Sequence, residues 1–350
     1  MTISIIESDV EADIDTFRSL LNRNREKSVD NDRFKWLYLN NPHGKAKVWC
    51  AVDEDSGRTI AFTCALPRLM KINGSDLLCW NCGDFSVDKK FRTLGVALKL
   101  RRAAKNDVDQ GVVNSLYAHP NNKMKVIHER VGHFCIGKME RYVKLIRVNT
   151  LIQKKIGGRR LTEFFSFFFN TALSSFDFFM FKKDKQYQTE WISDKKFDQS
   201  YDDLFKKVSP NYQIIGDRSS KYLNWRYYSN PLYTTEIVVI SKNNELLGYI
   251  IFYIENDIAV LKDILVMPDK RLLGSMVGFW IKELRKKKIS RISAILMDKN
   301  PMIDFFKKYG FYIRPEEESS VYGYANKNNE CHSQWIDGNN WYMTVGDRDV

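Results

Sequence analysis

Hydrophobic positions along this chain fall into short runs whose period switches between two and about 3.6 residues. Thr2–Ser8 alternates as a strand, and Glu11–Asn24 carries Phe17, Leu20 and Leu21 at helical spacing. Asn31–Asn40 reads as a second helix, stopped by Asn41-Pro42-His43-Gly44. Lys47–Asp53 and Thr59–Leu66 read as a hairpin over the turn 53–57, and Leu77–Val87 as a further strand. Helix Gly95–Asn106, strand Val112–Ala118, helix Lys123–Val131 and a strand from Phe134 follow. The later half predicts the same order: hairpin Glu236–Ser241 and Leu246–Ile254, strand Ala259–Val266, helix Gly274–Lys286, strand Ile289–Met297 and helix Pro301–Tyr309. Helices alternating with the later strands of a mixed sheet make an α/β layered domain.

The order recurs because the sequence recurs. Phe34-Lys-Trp-Leu-Tyr-Leu-Asn-Asn-Pro42 answers Leu223-Asn-Trp-Arg-Tyr-Tyr-Ser-Asn-Pro231 at an offset of 189. Asp84 to Gly95 answers Asp263 to Gly274 at 179, and Val131-Gly-His-Phe134 answers Tyr309-Gly-Phe311 at 178. Three segments in one order at near-constant spacing predict two copies of one domain. The expected division is a first copy over 1–150, a linker over 151–184, a second copy over 185–326 and a tail over 327–350.

A net charge of +12 favours anionic partners, whether cofactor phosphates, nucleic acid or a membrane surface, without choosing among them. Cys79-Trp-Asn-Cys82 is formally a C-x-x-C, but on a strand its cysteines face opposite sides. Buried reduced thiols are expected, with no metal site. The N-terminus lacks a basic region followed by an apolar run, so no signal peptide is read and a reducing cytosol is expected. The segment 163–182 is rich in phenylalanine but broken by Asn170, Thr171, Ser174, Ser175 and Asp177, too polar for a spanning helix. The expectation is a linker helix whose phenylalanines pack against both copies. Contact with anionic lipid, helped by Lys154, Lys155, Arg159 and Arg160, is the lesser alternative.

The sharpest chemical signal is the strand-to-helix passage from Ser86 to Ala97. A helix's first turn offers free N–H groups and the positive end of its dipole to a phosphate. Gly95 and Ala97 keep side chains clear there, and Arg92 adds a forked donor. Arg92-x-x-Gly95-x-Ala97 after a strand resembles the acyl-CoA-binding loop of the GNAT superfamily of N-acetyltransferases. Val131-Gly-His-Phe134 resembles the end of that family's following helix. The Trp-x-Tyr…Asn-Pro element and the closing Asn340–Asp347 are similar to long, tandem-domain GNAT proteins often associated with bacterial surface-polysaccharide synthesis. The resemblance implies two tandem GNAT-like domains, each a mixed, mostly antiparallel twisted sheet flanked by helices. It also implies acyl transfer from a CoA thioester to an amine, with acyl-CoA as co-substrate. Ser86, Val87, Arg92, Thr93, Leu94, Gly95, Val96, Ala97 and Asn121 are then the expected CoA-binding residues, with the backbone of Ser86 and Val87 facing the thioester.

The copies differ where chemistry is expected. The first keeps Ala97 where the second has Met276. The family's Tyr acid, four positions before the Gly of the "G-F" end, falls on His128 in the first copy and on Phe306 in the second. An imidazole can donate a proton and a phenyl ring cannot. The first copy is therefore the expected catalytic one, with His128 as candidate acid. His119, at the end of a strand, and Asp84 are candidate bases. Tyr117, Trp36 and Tyr38 are candidates for lining the substrate pocket. Excess positive charge and abundant Trp and Tyr suit a nucleotide-linked amino sugar as acceptor. An aminoacyl-tRNA-dependent transferase and a non-catalytic binding module for RNA or membrane are the rival readings.

Overall fold

A computed structural model describes residues 2–26, 28–92, 94–181, 184–315 and 319–349. The first half comprises β1 (Ile3–Ser8), α1 (Ile14–Asn24), α2 (Asn31–Phe34), β2 (Lys47–Asp53), β3 (Arg58–Ile72), β4 (Ser75–Val87), α3 (Leu94–Asp109), β5 (Ser115–Ala118), α4 (Asn122–Arg130) and β6 (Phe134–Leu145). A helical hairpin follows, α5 (Asn149–Ile156) and α6 (Arg159–Met180). The second half comprises β7 (Gln188–Ser193), α7 (Gln199–Val208), β8 (Ile214–Gly216), α8 (Ser220–Leu223), β9 (Glu236–Lys242), β10 (Glu245–Glu255), β11 (Ile258–Val266), α9 (Lys270–Lys286), β12 (Arg291–Met297), α10 (Ile303–Lys308), β13 (Tyr312–Ile313) and β14 (Ser319–Ala325). Last come α11 (His332–Ile336) and β15 (Trp341–Tyr342).

Local chemistry repeats with the sequence. Asp30 caps α2 by accepting from the Arg33 amide, and Ser219, 189 positions on, caps α8 by accepting from the Tyr222 amide. Both helices continue into a π-helical turn, Lys35–Leu39 and Asn224–Tyr228. There Trp36 and Trp225 stack at 5.1 Å, and each indole N–H donates to the other's carbonyl, at 2.7 and 2.9 Å. The two segments that read alike in sequence thus meet in the fold. Gly132 and Gly310 turn the chain at φ +86° and +82°, a region glycine enters without strain, which accounts for the recurring glycine before Phe311 and after Val131.

Among the described residues the strands join into one sheet, ordered β1-β2-β3-β4-β5-β14-β6-β12-β11-β10-β9-β7. Pairing along this path is antiparallel except at β4–β5 and β11–β12. The last strands of the halves are exchanged: β6 pairs with β12, and β14 lies between β5 and β6. A core cluster containing Met70, Tyr117, Ile136, Trp335 and Trp341 spans this junction.

Most element positions agree with the hydrophobic pattern; the extent of β3 and the packing of α6 are the main departures. β3 continues past Leu66 through Pro67 and Arg68 to Ile72, because Met70–Ile72 gain β8 as an extra partner and the buried Arg68 finds Asp347 and the Asp217 carbonyl. The phenylalanines of α6 do not pack against both halves as expected; Phe167, Phe168, Phe178 and Phe179 are exposed. All six cysteines are free, with Cys79 and Cys82 buried.

Candidate functional site

The β4–β5 ladder runs from Cys79–Ser115 to Cys82–Ala118 and ends, while β4 continues to Val87. A register slip against β3 bulges β4 around Gly83. Beyond it the side chains alternate, Asp84 and Ser86 toward α1 and α2, Phe85 and Val87 into the core beneath α3. The strands therefore part in front of the first turn of α3, where Val96 and Ala97 are buried and Gly95 is exposed. Arg92 stands just ahead, its Nε donating to the Val87 carbonyl at 3.1 Å and its Nη2 to Asn24 Oδ1 at 2.8 Å. The helix dipole and the pinned guanidinium give this mouth a positive character, the kind of setting in which phosphates are held. Thr93 lies outside the described residues.

Asp84 is deeply buried, accepting from Arg33 at 2.8 and 3.2 Å, Arg25 at 2.7 Å and the Tyr38 hydroxyl at 3.0 Å. Burial alone would raise its pKa, but the guanidiniums hold it below the usual carboxylate range. Both oxygens are engaged, so Asp84 organises Arg33, Arg25 and Tyr38 and is a poor base. Ser86 Oγ donates to the Leu20 carbonyl, so its side chain fastens α1 and only its backbone can serve the opening. Tyr117 is buried with its hydroxyl on the Asp347 carbonyl at 2.8 Å. Trp36 is spent on Trp225, although both indoles, with Lys35 and Lys221, line a groove of about 560 Å³. Asn121 caps α4.

The histidines divide. His128 shares a 2.8 Å hydrogen bond with His133 beneath α3, and burial with Arg101 nearby pushes both well below the ordinary histidine value. That arrangement stores no imidazolium for a leaving thiolate. His119 follows the last paired residue of β5; both ring nitrogens are buried and, among the described residues, unpartnered. Burial and Arg348 push its pKa well below the ordinary value, so it is a neutral imidazole. Among the described residues there is no cluster suited to a metal ion.

The second half has the same geometry, closed. β11 pairs with β12 only as far as Leu261–Ala294, and Lys262 occupies the bulge. The opening is filled by the tail: Tyr342 donates to the Ile264 carbonyl, Thr344 bridges to Leu296 and donates to Asp263, and Asp347 pairs with Arg218 and Arg68. Asp269 caps α9 by accepting from the Arg271 amide, placing a carboxylate where the first half has Lys90. Met276 and Phe306 are fully buried. From there the tail crosses to the first half, where Asn81 and Tyr117 donate to the Asp347 carbonyl, while Arg226 of the second half donates to the carbonyls of Gly346, Arg348 and Asp349. Arg68, Arg218 and Arg226, which hold the tail, do not stand out in the hydrophobic pattern. The available signal is Arg226 itself, a charge in the recurring segment where the earlier occurrence has Leu37.

No family model matches the chain, and no curated protein matches it. Solved structures do. A conserved protein of unknown function from Enterococcus faecalis, a probable N-acyltransferase, matches at TM-score 0.67 and 10% identity over 92% of this chain and 72% of its own. A GCN5-related N-acetyltransferase from Anabaena variabilis matches at 0.66 and 12% over 92% and 72%. Saccharomyces cerevisiae N-myristoyltransferase with bound myristoyl-CoA matches at 0.57 and 12% over 96% and 84%. At these identities the likeness establishes architecture, and the chain has the GNAT fold, a large, mostly antiparallel sheet flanked by helices.

Proposed function

We propose that this chain is an acyl-CoA-dependent N-acyltransferase that works at the β4–β5 opening of its first half. The observation that carries the reading is the contrast between the two helix mouths. α3 opens beside Lys90 and Arg92, whereas α9 is capped by Asp269 and its strand opening is filled by Thr344 and Asp347. A CoA diphosphate is favoured at the first, whereas at the second the Asp269 carboxylate already takes a helix-mouth amide and the tail fills the opening. The amine attacks the thioester carbonyl carbon, the CoA sulfur leaves, and the amine's proton passes to a base. His119 is the group best placed for that proton, being neutral and at the end of β5. For the acceptor we favour a nucleotide-linked amino sugar. The groove bearing Trp36, Trp225, Lys35 and Lys221 supplies aromatic edges and cations suited to a base and a diphosphate.

Thermal unfolding with coenzyme A and acetyl-CoA tests this, since a ligand of the native state raises Tm. The shift is expected in the wild type and in Arg271→Ala, reduced in Arg92→Ala and lost in Gly95→Trp. In a mass-spectrometric assay over amino sugars, free and nucleotide-linked, His119→Ala should lower kcat about 10²–10⁴-fold with CoA affinity unchanged. No shift with either thioester or thiol rejects the reading, and a shift lost in Arg271→Ala alone moves the site to the second half.

A further inference from the structure

Helix α6 is built inside out. Its polar residues Thr162, Ser166 and Asp177 face the protein, with Ser166 only 1% exposed, while Phe167, Phe178 and Phe179 are 69%, 77% and 73% exposed. The polar stripe holds the helix in that orientation. Asn170 accepts from the Val148 amide at 2.9 Å and donates to Asn149 at 2.8 Å, fixing α6 to the start of α5. Asp177 pairs with Lys144 of β6 at 2.8 Å and with Arg285 of α9 at 2.6 Å, fixing its far end to the body. Rotating α6 to hide the phenylalanines would break these buried pairs, so the exposed apolar face is imposed by the fold. An exposed apolar face of this extent marks an interaction site.

We propose that this hairpin docks on an anionic lipid surface. Charge selects that occupant. Residues 147–185 contain eight lysines and arginines against three acidic residues, so 39 positions carry five of the chain's twelve net positive charges. Lys154, Lys155 and Arg160 are exposed beside the aromatic face. Phenylalanine in the acyl boundary with lysine and arginine at the headgroups is the arrangement of an interfacial helix. A second copy on the same face would bring two basic borders together and is disfavoured by that charge. Among the described residues no helix is long and apolar enough to cross a membrane, so the contact is peripheral.

Flotation with vesicles of equimolar phosphatidylcholine and phosphatidylglycerol, and with pure phosphatidylcholine, tests the proposal. The protein should float with the mixed vesicles, and less so at about 0.5 M salt. Phe167→Ser with Phe168→Ser should lower partitioning about a hundredfold with Tm unchanged, because those rings touch solvent and each other. Charge reversal at Lys154, Lys155 and Arg160 should abolish the preference for the anionic vesicles. Folded protein that stays unbound with mixed vesicles overturns the proposal, as does equal flotation of the serine variant. Sedimentation showing a dimer that the serine variant dissociates, without vesicle binding, assigns the face to a second copy instead.

Discussion

Asp84 lies among two guanidiniums and a phenol because a lone buried carboxylate costs several kcal/mol. The same matching recurs at Asp347 with Arg68 and Arg218, and at Asp217, which Arg68 and the hydrogen bond from His43 hold down at about 2. The buried histidines lack such compensation. His119, His128 and His133 are all held below the ordinary histidine value, chiefly by burial. They are neutral in the native state, whereas the unfolded chain takes up protons below about pH 6.5. The unfolded state then binds more protons, so stability falls as pH drops through that value and continues to fall until the native groups titrate. Each contributes a slope of up to about 1.4 kcal/mol per pH unit. Depressed carboxylates such as Asp84 oppose nothing in this window, since their stabilisation is lost only as the pH approaches the ordinary carboxylate range and below. Urea unfolding at pH 7.5, 6.5 and 5.5 should show a steady loss, and His128→Gln with His133→Gln should flatten it by up to two protons' worth. A pH-independent wild type contradicts the burial of these rings.

The π-helical turns carrying Trp36 and Trp225 couple the two halves through one stacked pair and two reciprocal hydrogen bonds. Replacing each indole by phenylalanine removes its donor while leaving an aromatic ring. A double-mutant cycle on Trp36→Phe and Trp225→Phe should return a coupling of about 1–2 kcal/mol, read from chemical denaturation. Additive losses would mean that the turns are held by their own halves. These elements were legible in the sequence because their signals are local: the recurring segments around Trp36 and Trp225, the apolar runs of β2 and β9, the Arg92–Ala97 turn. The orientation of α6 was not, because its phenylalanine count argued for burial and only the distant partners Lys144 and Arg285 decide which face turns inward. His128 misled for the same reason. Its spacing from Gly132 is local, but the contact that sets its chemistry is His133 packed under α3 with Tyr324 from the far end of the chain.

Pairing between distant strands decides how the whole molecule holds together. A boundary at residue 150 falls between repeats, yet β5 finds its next neighbour in β14, more than two hundred positions away, and β6 finds β12. The tail adds further crossings through Asp347, Tyr117, Asn81 and Arg226. A fragment of residues 1–150 would expose the edges of β5 and β6 and leave Tyr117 without its acceptor, an outcome that favours aggregation over folding. The intact chain should therefore unfold in one transition, with far- and near-ultraviolet circular dichroism superimposing along a urea gradient. The fragment 1–150 alone should lack a cooperative transition, and co-expression with residues 151–350 should restore it together with the coenzyme A shift. If the fragment instead melts cooperatively and binds coenzyme A by itself, the exchanged strands are decoration on an autonomous first half. Two separated transitions in the intact chain would say the same, because strands shared between units cannot melt at different denaturant concentrations.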